Sequence, residues 1–254
     1  MGLLDPSRAL VKVYVVGGGT GEPDLLTVRA ARLLREARFV LYTGSLFPEG
    51  VLLQLAPKAE RVDSKGLVLE EIVALLAQRA REGGGVVRLH SGDPSLYGTL
   101  WEERQALEAL GVGVEVVPGV TAAFALAARL GLSLTSPEVA QAVAFARLGV
   151  RTPVPPGQEV GELARAGLTL AVYLSGMHPR RLHRALEAAG LGPKTPVAYG
   201  HRLGQEGEEV GVLDLEALPK LPPRDTTVFL VGEGLFRGGR SRLYHPGFRH
   251  RYRR

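Results

Sequence analysis

The sequence predicts an α/β protein of two domains, with a mostly parallel sheet in the first and a mixed sheet in the second. In the first half, short apolar runs alternate with helical patterns five times, which is how parallel sheets are built. In the second half, the last three strand-like runs, Pro196–Tyr199, Glu209–Leu213 and Thr226–Val231, have little helix between them, so antiparallel pairs are expected there. A chain of 254 residues, 45 % of them hydrophobic, has the material for a sizeable core.

The chain opens with the apolar run Val11–Val16, a strand, followed by the glycine loop Gly17–Asp24. A helix is predicted from about Thr27 to Ala37, with Thr27 as its cap and Leu33 and Leu34 on the buried side. Phe39–Tyr42 is the second strand and Thr43–Pro48, TGSLFP, its exit loop. Ala59–Asp63 reads as a short strand, and Leu67–Arg81 as a helix with apolar residues at 69, 72, 73, 76 and 80. The run Val86–Leu89 is a buried strand that ends in Ser91-Gly-Asp-Pro94, where glycine permits close backbone approach and proline stops the ladder. A helix from about Thr99 to Leu110, the strand Val114–Val117, the turn Pro118–Ala122 and a helix ending before Gly131 complete the first half. Thr121 reads as a helix cap, or as a cap that also offers its hydroxyl to a ligand.

Leu132–Pro137 is the expected boundary, giving domains 1–134 and 135–236 and a basic tail 237–254. The second domain starts with a strand at Gln141–Arg147 and the proline-rich loop Arg151–Gly157. A short helix near Glu159–Ala166, a strand at Leu168–Leu174 and a helix at Pro179–Ala189 follow. That last helix turns Arg180, Arg181 and Arg184 outward.

Composition narrows the function. The chain has no cysteine, which excludes disulfides, thiol catalysis and cysteine-bound metals. The formal charge of +5 belongs to the tail: from Arg237 onward there are seven arginines and no acidic residue, while the body carries 24 basic and 26 acidic residues. A nucleic-acid-binding domain is therefore not implied, and the tail is expected to be an arm that is disordered or that docks on a partner subunit or acidic ligand. Met1–Leu10 lacks the apolar core of a signal peptide and no run approaches the ~18 residues of a membrane span, so a cytoplasmic protein is expected.

Familiar catalytic patterns are missing. Glycines 17, 19 and 21 stand where a dinucleotide fingerprint would begin, but Glu22 replaces its last glycine and no acid closes the second strand. There is no Gly-Lys-Ser/Thr phosphate loop, G-x-S-x-G elbow or HExxH pair, so no metal site is predicted; His178 and His183 are five apart. What recurs is glycine with small polar residues at strand ends, at 17–21, 91–93 and 119–122. Such turns bind through backbone groups and suit a cofactor that brings its own reactivity.

GGGTGEPDLLT, SGDPSLYG and PGVTA, in that order and after those strands, resemble the tetrapyrrole (corrin/porphyrin) methylases over about residues 11–235. TGSLFP, RTPVP and the tail SRLYHPGFRHRYR are similar to one branch of that family. The resemblance implies that family's two-domain α/β fold, a homodimer, S-adenosyl-L-methionine as cofactor and an acidic tetrapyrrole as substrate. The implied reaction is methylation of C11 of precorrin-4 or its cobalt form. Another ring carbon, uroporphyrinogen III, or a non-catalytic binding role are the rival readings.

Carried over by motif, the implied cofactor contacts are Thr20 in the first loop and Ser91, Gly92, Asp93 and Leu96 after the fourth strand. Thr121 and Ala122 follow the fifth, Leu174 falls at the methionyl position, and Leu203 falls near the contact after PVAYG. Ser45, Tyr97 and Arg151 are the expected substrate contacts, Arg151 as a carboxylate partner together with the tail arginines. Two departures stand out: Thr20 and Glu22 replace the proline and aspartate of the family's first loop, and His201–Gly207 differs from its usual run. No catalytic base is identified.

Overall fold

A computed structural model describes residues 11–44, 47, 49–249 and 251. The chain forms two compact units. The first reaches to Ala122 and takes in Leu203–Glu206; the second starts at Ala123, pauses after Arg202 and resumes at Gly207.

The first unit holds five parallel strands, β1 (Lys12–Gly17), β2 (Ala37–Tyr42), β3 (Glu60–Asp63), β4 (Gly85–His90) and β5 (Gly113–Val117), in the order β3-β2-β4-β1-β5. Helices α1 (Val28–Glu36) and α2 (Glu49–Leu55) cover one face, where Ala30, Leu34 and Leu52 meet Val16, Val40, Val87 and Leu89. Helices α3 (Leu69–Glu82) and α4 (Leu100–Ala109) cover the other, where Ile72, Leu76 and Leu107 meet Val13, Val15, Leu41 and Val86. Burial on both faces is why the three inner strands, β2, β4 and β1, read as mostly apolar runs, whereas the edge strands β3 and β5 carry Glu60, Asp63 and Glu115. Thr27 caps α1 as predicted, its Oγ1 accepting from the Ala30 N–H at 3.1 Å. The chain leaves β1 toward one face and its neighbour β4 toward the other, which opens a crevice at the carboxyl ends of the two strands.

The second unit holds β6 (Val143–Arg147), β7 (Thr169–Tyr173), β8 (Pro196–His201), β9 (Glu209–Asp214) and β10 (Thr227–Val231) in the order β6-β7-β10-β8-β9. Only β6 and β7 pair in parallel; the other three pairs are antiparallel, as the sparse helices predicted. Helices α6 (Val160–Arg165) and α7 (Pro179–Ala188) pack Val160, Leu182 and Leu186 against Leu170, Val172, Phe229 and Val231.

Three features differ from the sequence reading. Helix α2 was not expected in a stretch bounded by prolines; it forms because Leu52 is completely buried under the sheet. The division falls at Ala122 rather than near residue 134, because α5 (Ala122–Leu130) packs with the second unit. There the Ala123 N–H donates to the Tyr173 hydroxyl at 2.8 Å and the Phe124 ring meets Phe145 edge-on at 6.2 Å. The tail, expected as a disordered arm or one that docks on a partner subunit or acidic ligand, begins against its own domain: the Gly239 N–H donates to Pro137 O at 2.9 Å, and Arg242 lies 3.8 Å from Glu138.

Candidate functional site

Three turns meet at the carboxyl ends of β4, β1 and β5. Gly18 N–H donates to His90 O at 2.7 Å. Gly19 and Gly92 exchange two hydrogen bonds, Gly92 N–H to Gly19 O at 2.6 Å and Gly19 N–H to Gly92 O at 3.2 Å. Both adopt left-handed backbone, with φ of +65° and +62°, which glycine adopts without steric cost. The third turn closes on them so tightly that a Cβ on Gly119 would stand 2.1 Å from Gly92 O, and one on Gly17 would stand 2.5 Å from Gly119 N. These glycines are therefore required by backbone-to-backbone packing.

Asp93 fastens the arrangement. Its Oδ2 accepts from Gly119 N–H at 2.9 Å, and its Oδ1 accepts from the Ser95 N–H at 2.9 Å and from the Ser95 hydroxyl. Burial pushes the carboxyl pKa up, but the bonds from the Ser95 hydroxyl, Gly119 N–H and Ser95 N–H outweigh it and hold the group below the usual aspartate value. The carboxylate of Asp93 thus joins two turns of the expected cofactor site.

The other expected residues of this unit gather around the same turns. Thr121 is buried, and a Cβ on Gly92 would lie 3.7 Å from its Cα. Ala122 begins α5, and Ser91, Gly92 and Leu96 are half-buried along the turn. Thr20 is buried in the first loop, and its Oγ1 has no hydrogen-bond partner. Gln205 Nε2 donates to Thr20 O at 3.2 Å, so the segment carrying buried Leu203 folds back onto the first glycine loop. Tyr97 is exposed, at a φ of +53°. Ser45 lies outside the described residues.

In the second unit, Leu174 follows β7 with a φ of +51° and 69 % of its surface exposed. The buried Ser175 sets that turn: its hydroxyl donates to Tyr173 O at 2.7 Å and accepts from the Leu148 N–H at 3.0 Å. A non-glycine residue at positive φ is strained, and such strain gathers at ligand-holding turns. Arg151 is exposed in a loop shaped by Arg147, which donates to Thr152 O at 3.1 Å and Pro153 O at 3.0 Å.

Sequence reasoning missed a buried polar group behind the β4 turn. Glu103 on α4 is completely buried and accepts from Arg88 Nε at 3.0 Å and from the Thr99 hydroxyl at 2.8 Å, with His90 Nε2 at 3.3 Å. Burial raises its pKa, but the His90 and Thr99 hydrogen bonds and the Arg88 charge lower it further, so the carboxyl stays below the usual glutamate value. A signal existed: Arg88 interrupts an apolar strand, and Glu103 lies on the same helical stripe as Leu100 and Leu107.

Around the crevice the turns thus provide backbone groups and one buried hydroxyl without a partner. That arrangement fits a small polar cofactor held by its edges, with reactivity of its own. The sequence profile of the Tetrapyrrole (Corrin/Porphyrin) Methylases matches residues 12–219. A precorrin-4 C(11)-methyltransferase of Pseudomonas aeruginosa is 44 % identical over 248 residues, covering 95 % of this chain and 98 % of that protein. The solved structure of a cobalt precorrin-4 methyltransferase of cobalamin biosynthesis superimposes with a TM-score of 0.84 at 35 % identity, over 91 % of this chain and 97 % of the other. A uroporphyrin-III C-methyltransferase of Thermus thermophilus, solved with S-adenosylhomocysteine, gives a TM-score of 0.72 at 35 % identity, over 87 % and 92 % of the two chains.

Proposed function

The chain belongs to the tetrapyrrole (corrin/porphyrin) methylases, and from that premise we propose that it transfers a methyl group from S-adenosyl-L-methionine to C11 of precorrin-4 or its cobalt form. The observation that carries this reading is the near end-to-end likeness to relatives named for that reaction. The turns of the first unit support the cofactor half of it. Bound S-adenosylmethionine supplies an electrophilic methyl group on a sulfonium.

The chain's own task is to hold and align. We assign the cofactor to the backbone of Ser91–Asp93 and Leu96, to Thr121 and Ala122, and to the free hydroxyl of Thr20. Leu203, on the segment that Gln205 ties to Thr20, is assigned to the cofactor as well, and Leu174 the methionyl contact implied by its position. Rigid turns of this kind fix reacting atoms at about 3–3.5 Å, and much of the rate of a displacement comes from such alignment in a dry site. Arg151, Tyr97 and Ser45 are assigned to the substrate, Arg151 because a guanidinium grips a carboxylate with two parallel hydrogen bonds. We further propose a cytoplasmic homodimer.

The test is an assay of the full chain with S-adenosylmethionine on precorrin-4, cobalt-precorrin-4 and uroporphyrinogen III in parallel. Turnover of either precorrin-4 form supports the reading. Turnover of uroporphyrinogen III alone assigns the chain to a different step of the same family.

A further inference from the structure

We infer that Glu103 is the positioning residue of the cofactor turn, anchoring both ends of the loop Ser91–Gly98 on one buried carboxylate. The inference rests on the methyl-transfer reading above and deepens it.

The geometry is specific. Glu103 sits on α4, one turn beyond the loop, with no exposed surface. His90, the residue before the loop, places Nε2 at 3.3 Å from Oε2. Thr99, the residue after the loop, donates its hydroxyl to Oε1 at 2.8 Å. Arg88, two residues further back on β4, donates Nε to the same Oε1 at 3.0 Å and an amino N–H to Ser64 Oγ at 3.1 Å. The Ser64 hydroxyl donates in turn to Tyr42 O at 2.9 Å and lies 3.2 Å from Thr43 Oγ1. The ends of β2, β3 and β4 and both ends of the loop are therefore joined through one set of side chains.

A buried charged pair is an expensive way to fill a core, and well-packed apolar residues often serve stability better. What a fully satisfied polar set supplies instead is a fixed geometry. Here that geometry is delivered to the loop with the most expected cofactor contacts. The loop's other end-stop is steric: a Cβ on Gly98 would stand 3.2 Å from His90 Nδ1. A loop fixed at both ends needs no reordering when it meets a ligand, so less binding free energy is lost.

The experiment uses the full chain and three variants, Thr99→Val, Thr99→Ser and Glu103→Gln. Thr99→Val keeps the shape and deletes the donor; Thr99→Ser keeps the donor. Two readouts are taken: hydrogen–deuterium exchange of the Ser91–Gly98 amides without cofactor, and calorimetric titration with S-adenosylhomocysteine. Thr99→Val is expected to speed exchange in that loop while the amides of β1 and β5 stay protected. It is also expected to weaken S-adenosylhomocysteine binding by about tenfold, the scale of one hydrogen bond to a charged group. Thr99→Ser should restore both within about twofold, and Glu103→Gln, if it folds, should exceed Thr99→Val in both. Unchanged exchange and affinity in Thr99→Val overturn the inference. Faster exchange in a protein whose wild type does not bind S-adenosylhomocysteine keeps the anchor, but overturns its link to the cofactor and the functional reading with it.

Discussion

The Gly119 N–H donates to Oδ2 of Asp93 at 2.9 Å, although 26 residues separate them in the chain. The bond ties the turn after β5 to the turn after β4, and it forms only because Gly119 is bare. One aspartate and one glycine thereby bring Gly92 and Thr121 side by side.

Replacing Gly119 by alanine is expected to break this junction. The added Cβ would stand 2.1 Å from a backbone oxygen that has nowhere to go. Thermal unfolding should show a loss of about 1–3 kcal/mol, the usual cost of overpacking, and S-adenosylhomocysteine binding should fall below detection. Gly50→Ala is the control. Its Cβ meets nothing within 4 Å and it lies in α2, so it should stabilise by about 0.5–1 kcal/mol.

Thr20→Val should separate folding from binding. The hydroxyl is buried without a partner, so its removal relieves an unmet desolvation cost and the melting temperature should hold or rise. If that hydroxyl meets the cofactor, S-adenosylhomocysteine affinity should drop by about five- to tenfold in calorimetry, on the order of one lost hydrogen bond.

The Glu103 carboxyl titrates below the ordinary glutamate value of 4.5 in the folded chain. It therefore contributes stability above pH 4.5, and that contribution is lost as the pH falls through its lower folded value. Urea titrations of wild type and Glu103→Gln should show a large gap at pH 7 that narrows progressively below pH 4.5. Arg88→Met leaves the buried carboxylate without its guanidinium and should cost about 3–5 kcal/mol at pH 7, with the loss starting to shrink at a higher pH than the wild-type window, because burial without the guanidinium raises the carboxyl pKa.

Much of the fold was legible because strand and helix periods were clean: Val86–Leu89 is a largely apolar run buried along its whole length, Val114 and Val117 are the buried positions of the next strand, and Thr27 is a cap with its partner three residues on. The turns were legible because glycine and proline mark where the chain must bend. Other features were not, for physical reasons. Helix α2 has only two turns and owes its existence to Leu52 meeting the sheet. The return of Leu203–Glu206 to the first unit depends on contacts with Thr20, far away in sequence. Glu103 went unread because its stripe position with Leu100 and Leu107 marks burial but not partners, and only packing brings Arg88, His90 and Thr99 together on its carboxylate.

Arg151 should act on the substrate alone. Arg151→Ala is expected to raise KM for the tetrapyrrole by about tenfold, the scale of a charge-assisted pair, while S-adenosylhomocysteine affinity stays within about twofold of wild type. Steady-state kinetics beside calorimetry check this; an equal loss in both would move Arg151 to the cofactor.

The most direct test of the account is to find where the methyl group goes. The chain is incubated with precorrin-4, or its cobalt form, and S-adenosylmethionine carrying a 13C-labelled methyl, and the product is read by NMR. The account predicts one new labelled methyl on the quaternary C11 and one equivalent of S-adenosylhomocysteine. Label on a different ring carbon, or none on the macrocycle with an active control enzyme alongside, contradicts it.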